Sequence, residues 1–200
     1  MISIIMPSYL GAYKKSARDR EHKLSRAIRS VIKQEYTDWQ LVVVADGCPL
    51  TVEMVKEIAH PQIRLVIIDK QRMWGGAVRN VGIENAEGDW ICYLDNDDFL
   101  HPCHLFEIDA QAGDNDWLFF NDYIYNGKIF IERTCWIEKF QCGTANIAHR
   151  RGLPVRWKEE TAYGLDDWNF IQALRNTSEN YKKISGPAYL VCHIPNRYDI

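Results

Sequence analysis

The first half of the chain alternates short apolar runs with stretches of helical periodicity. The apolar runs have the length and composition of buried parallel strands, and they cover residues 2–6, 40–45, 63–68 and 90–94. Between them, apolar residues recur every three to four positions in residues 24–32, 52–58 and 74–86. We expect the first strand to stop at Pro7. The resulting β-α-β-α-β-α-β order predicts a parallel sheet with right-handed crossovers and helices on both faces.

The second half of the chain has a weaker pattern. It predicts a short helix, a strand, a hairpin with a type I′ turn at Asn126-Gly127, a second helix and a final strand. These elements cover residues 103–110, 117–120, 123–131, 166–174 and 188–194, while residues 133–165 give no clear signal. We therefore expect a single α/β domain over residues 1–200, with a regular half at 1–100 and an irregular half at 101–200.

Composition narrows the class of protein. The chain has 200 residues, of which 46% are hydrophobic, and a net charge of −3. That suits one globular domain and gives no basic surface for nucleic acid. The six cysteines form no C-x-x-C pair, and no apolar run approaches the ~20 residues that span a bilayer. The N-terminus lacks the pattern of a signal peptide. We expect a reduced, cytoplasmic protein without a transmembrane segment, and the oligomeric state stays open.

An acidic cluster follows the fourth predicted strand directly. Asp95, Asp97 and Asp98 place three carboxylates in four positions, with Asn96 between the first two. Like charges repel, so a fold gains from this arrangement mainly when a cation lies among them. Ligands of open α/β sheets bind beyond the carboxyl ends of the strands, which is where this cluster falls. The alternative is a solvated acidic turn. Asp46 ends the second predicted strand in the same way.

Six segments in order resemble one known family. They are IIMPSY at 4–9, AIRSVIKQEY at 27–36, LVVVADG at 41–47, AVRNVGI at 77–83, AEGDWICYLDNDD at 86–98 and GLDDWNF at 164–170. Together they resemble family 2 glycosyltransferases of the GT-A fold, which are inverting enzymes. The resemblance implies a Rossmann-like, mostly parallel sheet and an irregular acceptor half. It also implies a hexosyltransferase that uses a nucleotide-diphosphate sugar, with a UDP-sugar favoured, a divalent metal, and a carbohydrate or glycoconjugate acceptor.

The resemblance assigns roles at the donor site. Tyr9 resembles the residue that packs on the base of the nucleotide, and Asp46 resembles the carboxylate that accepts a hydrogen bond from the base. Arg79 resembles a residue that helps to hold the nucleotide. Pro7 and Asn96 complete the expected nucleotide-sugar site, together with Asp95.

The acidic cluster matches the D-x-D motif of the family through Asp95 and Asp97. The resemblance implies that Asp97 is the direct ligand of Mn²⁺ or Mg²⁺, and that Asp95 contacts the ribose or a metal-bound water. Asp98 is expected to be a dispensable supporting carboxylate. His193 resembles a histidine that serves some members as a further metal ligand. A histidine ligand would favour Mn²⁺, although His193 is equally compatible with a hydrogen-bonded strand histidine.

The pair Asp166-Asp167 resembles the family's Glu-Asp pair, in which the second acid is the general base. A carboxylate in this role must take the proton of the attacking hydroxyl on the side opposite the leaving group. Without the resemblance, both residues would be assigned as acids that favour a helix N-terminus. Aromatic residues of the second half suit either an acceptor sugar or the core; they are Trp136, Trp157, Tyr163 and Trp168.

The sequence departs from the family pattern at four positions, which are Leu10, Ala45, Cys48 and Asp166. These departures leave the identity of the nucleotide open. Two alternatives therefore remain beside the glycosyltransferase: a nucleotidyltransferase and a non-catalytic nucleotide-sugar-binding protein. A nucleotidyltransferase would need a glycine- and lysine-rich loop after the first strand, and PSYLGAYKK at 7–15 matches that poorly.

Overall fold

The computed structural model describes residues 1–12, 16, 18–71, 75–159, 165–186 and 188–192. Its first half has the alternation that the hydrophobic pattern predicts. The elements are β1 (Ile2–Ser8), α1 (Arg20–Ile32), β2 (Trp39–Asp46), α2 (Pro49–Ile58), β3 (Ile63–Ile68), α3 (Gly76–Glu84) and β4 (Trp90–Tyr93). None of the helices in the described part of the chain is long and apolar enough to cross a bilayer.

The second half contains more strands than the sequence predicts. Its elements are β5 (Phe99–Leu100), α4 (His104–Ala112), β6 (Trp117–Phe119), β7 (Asp122–Tyr125), β8 (Phe130–Arg133), β9 (Ile147–Arg150), α5 (Asp166–Thr177), β10 (Tyr181–Lys183) and β11 (Tyr189–Val191), with a 3₁₀ turn at Thr144–Asn146. Strands β5, β9 and β10 were not predicted. A four-residue strand cannot show a full period of alternation, and β9 ends in His149 and Arg150, which look polar in sequence.

The central sheet has seven strands in the order β10-β6-β9-β4-β1-β2-β3. Neighbouring strands run parallel except at β9, which is antiparallel to both β4 and β6. The chain moves outward from β1 to β3 and then returns to the other side of β1 with β4, so the topological switch point lies between β1 and β4. Ligands of open α/β sheets bind at that point, beyond the carboxyl ends of the strands. A second sheet has the order β5-β11-β7-β8.

Helices cover both faces of the central sheet, as predicted. Alternate residues of β1 enter different apolar clusters: Ile4 packs with Leu24 of α1 on one face, and Ile5 packs with Ile83 and Phe170 on the other. Since side chains of a strand alternate between faces, this partition follows from the two-residue period. The mostly parallel α/β fold is confirmed.

Two local predictions were wrong. Strand β1 continues through Pro7, which pairs in register with Val44. The carbonyl of Ile5 accepts from the N–H of Leu94, so Pro7, two residues on, faces the same side beyond the end of that ladder, where a missing N–H breaks no ladder bond. The hairpin loop spans residues 126–129 rather than two residues, because the side chain of Asn126 accepts from the N–H groups of Lys128 and Ile129.

A buried network of hydrogen-bonded side chains supports the end of β4. The indole N–H of Trp157 donates to Tyr93 Oη at 3.2 Å, and Tyr93 Oη lies 2.8 Å from His149 Nε2. His149 Nδ1 lies 3.0 Å from the carbonyl of Arg150, which can only accept, so Nδ1 carries the hydrogen. Nε2 of the neutral ring then accepts from Tyr93. Burial lowers the pKa of His149 to about 4, consistent with this neutral tautomer.

We expect this histidine to make stability depend on pH. The unfolded pKa is about 6.5 and the folded pKa is lower, so the contribution is present above pH 6.5 and is lost as the pH falls toward 4. His149→Gln removes that dependence. The difference in free energy of unfolding between wild type and His149→Gln should therefore narrow by about 2 kcal/mol from pH 7.5 to pH 5, measured by urea titration. A difference in free energy of unfolding that stays constant with pH would contradict this role of His149. The control is His22→Gln, on the exposed side of α1.

Candidate functional site

The switch point between β1 and β4 brings two strand ends together. Ser8 ends β1, and its hydroxyl accepts from Asn96 Nδ2 at 3.2 Å, so the first residues after β4 are tied to the end of β1. The N–H of Asp95 donates to the hydroxyl of Tyr189 at 3.0 Å. From the other side, Arg26 Nη2 of α1 donates to the carbonyl of Asp97 at 2.9 Å. The acidic loop is therefore held by three elements.

Arg79 links this loop to α3. The residue is buried, and its Nη2 donates to Asp95 Oδ1 at 2.8 Å. Its guanidinium carbon also lies 4.9 Å from the centre of the Trp157 ring. Desolvation raises the pKa of Asp95, the Arg79 charge opposes that shift, and the charges of Asp97 and Asp167 add to it. Asp167, which is distant in sequence, therefore acts on the same site.

Helix α5 delivers Asp167 with its first turn. Thr144 Oγ1 donates to Asp167 Oδ1 in a short hydrogen bond, and a Cβ placed on Gly143 would lie 3.1 Å from Asp167 Oδ2. The close approach of that main chain orients the carboxylate. The neighbouring Asp166 differs, because its Oδ1 is buried without a hydrogen-bond partner. The pKa of Asp166 is raised, mainly by burial and to a smaller extent by the charge of Asp167.

Asp98 has a structural position that the sequence did not reveal. It is 5% exposed and accepts from Tyr189 Oη at 3.0 Å and from the N–H of Cys192 at 2.6 Å. The carbonyl of Cys192 accepts in turn from Lys23 Nζ at 2.6 Å. Burial raises the pKa of Asp98 well above its usual range. Asp98 thus joins the acidic loop to β11, and the expectation that it is dispensable does not agree with these contacts.

A second polar group lies at the end of β2, one strand away from the switch point. Asp46 Oδ2 is 2.5 Å from Lys70 Nζ, and Asp46 Oδ1 accepts from the N–H of Gln71 at 2.6 Å. Lys70 Nζ also lies 4.4 Å from the centre of the Tyr9 ring. Tyr9 and Asp46, which the sequence assigns to one base site, are therefore neighbours through Lys70.

The expected metal ligands are placed only in part. Asp97 lies in the acidic loop and is half-buried, whereas His193 lies outside the described residues. Within the described ranges, no group of three or more His, Cys, Asp or Glu side chains is arranged to hold a metal ion. Asp95 and Asp97 nevertheless offer two hard oxygen donors at the ligand edge. Mg²⁺ and Mn²⁺ suit one or two protein carboxylates with phosphates and waters completing the shell.

A cavity of about 210 Å³ opens beside Asp167. Trp168 and Phe140 form part of its wall, and Arg133 lies at another side. Phe140 is 72% exposed and has a φ of 66°, which a bulky residue rarely adopts. Such strain persists where the surrounding structure imposes it, and it is often found at ligand sites. The cavity therefore combines a carboxylate with two aromatic faces.

The four aromatic residues that the sequence analysis named do not share one environment. Trp157 is a core residue, 2% exposed, and stacks on Phe170 with ring centres 4.1 Å apart. Trp168 lines the cavity and Trp136 is 55% exposed. Tyr163 lies outside the described residues.

Sequence reasoning missed Lys70 and Thr144. Lys70 follows β3 by two residues, so the rule that located Asp46 at a strand end would also have found it. Thr144 gives no comparable signal, since it acts only because the main chain between β8 and β9 returns to α5.

The structure is similar to S. aureus TarS 1-349, with a TM-score of 0.75 and 18% identity over 95% of this chain and 60% of that one. It is also similar to the mannosyltransferase PcManGT from Pyrobaculum calidifontis in complex with GDP-Man and Mn²⁺, with a TM-score of 0.65 and 14% identity over 96% of this chain and 56% of that one. The fold is therefore the GT-A fold of glycosyltransferases. The family model "Glycosyl transferase family 2" matches residues 3–149, so the chain belongs to that family of transferase enzymes.

Curated relatives agree with the family. The chain is 31% identical over 136 residues to the putative colanic acid biosynthesis glycosyl transferase WcaA of Escherichia coli (strain K12), covering 65% of this chain and 45% of that protein. It is 43% identical over 88 residues to the succinoglycan biosynthesis protein ExoO of Rhizobium meliloti (strain 1021), covering 44% of this chain and 25% of that protein. The chain thus spans less than half the length of these relatives.

Proposed function

We propose that this family 2 glycosyltransferase is an inverting enzyme that moves a sugar from a nucleotide-diphosphate donor, a UDP-sugar in the first place, to a hydroxyl of a carbohydrate or glycoconjugate acceptor. The observation that carries the proposal is the cluster of Arg79, Asp95 and Asp167 at the switch point. This cluster supports a nucleotide site that lies next to a candidate base. Structures of S. aureus TarS with UDP-GlcNAc and with UDP support a UDP-sugar for a chain of this fold.

The donor would lie across the carboxyl ends of β1, β2 and β4. Its base would pack on Tyr9 with its polar edge toward Asp46. Its ribose or a metal-bound water would lie at Asp95, and Asn96 would complete the nucleotide-sugar site. Pro7 would border the base site at the end of β1. Arg79, which donates to Asp95 Oδ1, would help to hold the nucleotide. A divalent cation bound at Asp97 would spread the negative charge of the leaving diphosphate.

Asp167 would act as the general base. The acceptor hydroxyl gives its proton to Asp167 Oδ2 while its oxygen bonds to the anomeric carbon of the donor sugar. The bond from that carbon to the diphosphate oxygen breaks, and the nucleoside diphosphate leaves with the electron pair. A single displacement inverts the anomeric carbon. Thr144 and Gly143 hold the carboxylate in place, and positioning of this kind makes the proton transfer efficient.

The acceptor would enter the cavity beside Asp167. The volume of this cavity is below the ~300–1,000 Å³ of sites for drug-sized ligands, and a cavity of this size suits about one sugar ring. Arg133 is engaged by the fully buried Asp122, with Nε 2.9 Å from Asp122 Oδ1. Among its described lining residues, the cavity therefore offers aromatic side chains and hydrogen-bond partners for the hydroxyl groups of a sugar, rather than a free positive charge. A neutral sugar fits that chemistry best.

Sugar transfer can be tested before the acceptor is known. Release of nucleoside diphosphate should be measured with UDP-, GDP-, dTDP- and CDP-sugars, each with and without Mn²⁺. We expect turnover of a nucleotide-sugar that increases with Mn²⁺. Release of pyrophosphate from a nucleoside triphosphate would instead identify a nucleotidyltransferase. Binding of a nucleoside diphosphate without turnover on any acceptor of a broad screen would identify a non-catalytic binder.

Phe140→Ala tests the acceptor cavity. Loss of the aromatic face should raise KM for the acceptor by about tenfold, since one stacking contact contributes about 1 kcal/mol or somewhat more. The affinity for the donor nucleotide, measured by calorimetry, should stay unchanged. The matched control is Phe106→Ala, which removes another exposed phenylalanine, on α4, that does not line the cavity. Equal KM values for the two variants would place the acceptor elsewhere.

A further inference from the structure

Lys70 occupies the place where the base of the donor is expected. Its Nζ is 2.5 Å from Asp46 Oδ2 and 4.4 Å from the centre of the Tyr9 ring, so it spans the carboxylate and the stacking face. The Asp46 side chain is 8% exposed, whereas that of Lys70 is 46% exposed. The carboxylate therefore lies in the wall of the site, and the ammonium is the more exposed partner.

The main chain places Lys70 at this position. Gly47, directly after β2, has a φ of +60° and its N–H donates to the carbonyl of Ile68 at 2.9 Å. A Cβ on Gly47 would lie 2.6 Å from Lys70 Cβ and 2.7 Å from the Lys70 nitrogen. A side chain is excluded there by both the backbone angle and the space. The glycine thus lets residue 70 pack against the end of β2, which brings its ammonium to Asp46.

The two charged groups have opposite and fixed hydrogen-bonding characters. An ionised Asp46 can only accept, and Lys70 can only donate. A base that meets both along one edge must present an N–H beside a carbonyl oxygen. Uracil and thymine do so with N3–H and O4, and guanine does so with N1–H and O6.

Cytosine and adenine present the reverse arrangement. In cytosine the unprotonated N3 would face the carboxylate and the 4-amino group would face the ammonium. In adenine the same holds for N1 and the 6-amino group. Each of these pairings leaves polar groups unsatisfied in a partly buried site, and such mismatches discriminate strongly.

We propose that Lys70 is a specificity-determining residue that, with Asp46, selects bases with an N–H next to a carbonyl and rejects cytosine and adenine. This inference rests on the proposed donor site. On binding, the flexible Lys70 side chain leaves the Tyr9 ring, which the base then covers, and its ammonium moves to the carbonyl oxygen of the base. The contact with the ring is exchanged for a hydrogen bond to a carbonyl.

The test is calorimetric binding of UDP, GDP, CDP and ADP to the full chain in the presence of Mn²⁺. Wild type should bind UDP or GDP at least about a hundredfold more tightly than CDP and ADP. Lys70→Met keeps the length of the side chain and removes its charge, and it should reduce that ratio by about tenfold or more. Lys70→Arg keeps a donor and should retain the preference. Lys56→Met, at an exposed lysine of α2, is the matched control.

The outcomes separate the inference from the proposed function. If Lys70→Met binds UDP or GDP with the wild-type ratio, or if wild type binds CDP or ADP equally well, Lys70 does not select the base although the donor site is real. If wild type binds none of the four nucleotides, the donor site itself is wrong, and the inference with it. If Lys70→Met fails to fold by circular dichroism, Lys70→Arg decides the matter, since loss of its preference would contradict the proposal.

Discussion

Asp167→Asn should lower kcat for sugar transfer by about 10³-fold, within the 10²–10⁴-fold contribution of a positioned general base. The amide cannot take the proton of the attacking hydroxyl, yet it keeps the shape of the side chain and can still accept from Thr144. The affinity for the nucleoside diphosphate should change little. Release of nucleoside diphosphate from the donor gives the rate, and calorimetry gives the affinity.

Asp166→Asn is the internal control for that experiment. The two acids are neighbours on α5, but Asp167 lines the cavity whereas Asp166 Oδ1 is buried without a partner. We expect Asp166→Asn to cost less than about tenfold in kcat. If the large loss appeared in Asp166→Asn instead, the roles of the two acids would be reversed. Equal small losses in both variants would exclude a general base in the first turn of α5.

The regular half of the fold was predictable because its signals are local. Each strand from β1 to β4 is a mostly apolar run, and its boundaries were correct to within about two residues. The same pattern located Asp46 and Asp95, since the carboxyl ends of parallel strands meet at one edge. Strand β9 was not predictable in this way. Its pairing with β4 and β6 joins segments far apart in the chain, and its buried His149 looks polar in the sequence.

The hydrogen-bond partners of the site residues likewise come from segments that are far apart in the sequence. Asp98 was expected to be a minor support, but β11 brings Tyr189 and Cys192 to it. Arg79 was expected at the nucleotide, and its hydrogen bond to Asp95 could not be foreseen from the sequence. Sequence identifies such residues by type and by strand end. It does not identify which acid of the loop is paired with Arg79 and which with Tyr189, because those contacts depend on packing between elements.

Trp157→Ala should lower the free energy of unfolding by about 3–5 kcal/mol, the usual cost of deleting a buried tryptophan. The ring is 2% exposed and stacks on Phe170 of α5, and its N–H donates to Tyr93 at the end of β4. It therefore joins the helix that carries Asp167 to the strand that carries the acidic loop. Urea titration measures the loss. Activity should also fall, because the Arg79 guanidinium rests against this ring.

A graded series separates these contributions. Trp157→Phe keeps an aromatic ring against Phe170 and Arg79 but loses the hydrogen bond to Tyr93, so it should cost about 1–3 kcal/mol for the lost bond and lost volume. Trp136→Ala deletes a tryptophan that is 55% exposed, and it should cost less than about 1 kcal/mol. Similar losses for Trp136→Ala and Trp157→Ala would contradict the central position of Trp157. A stable Trp157→Ala variant with normal turnover would show that Arg79 is positioned by Asp95 alone.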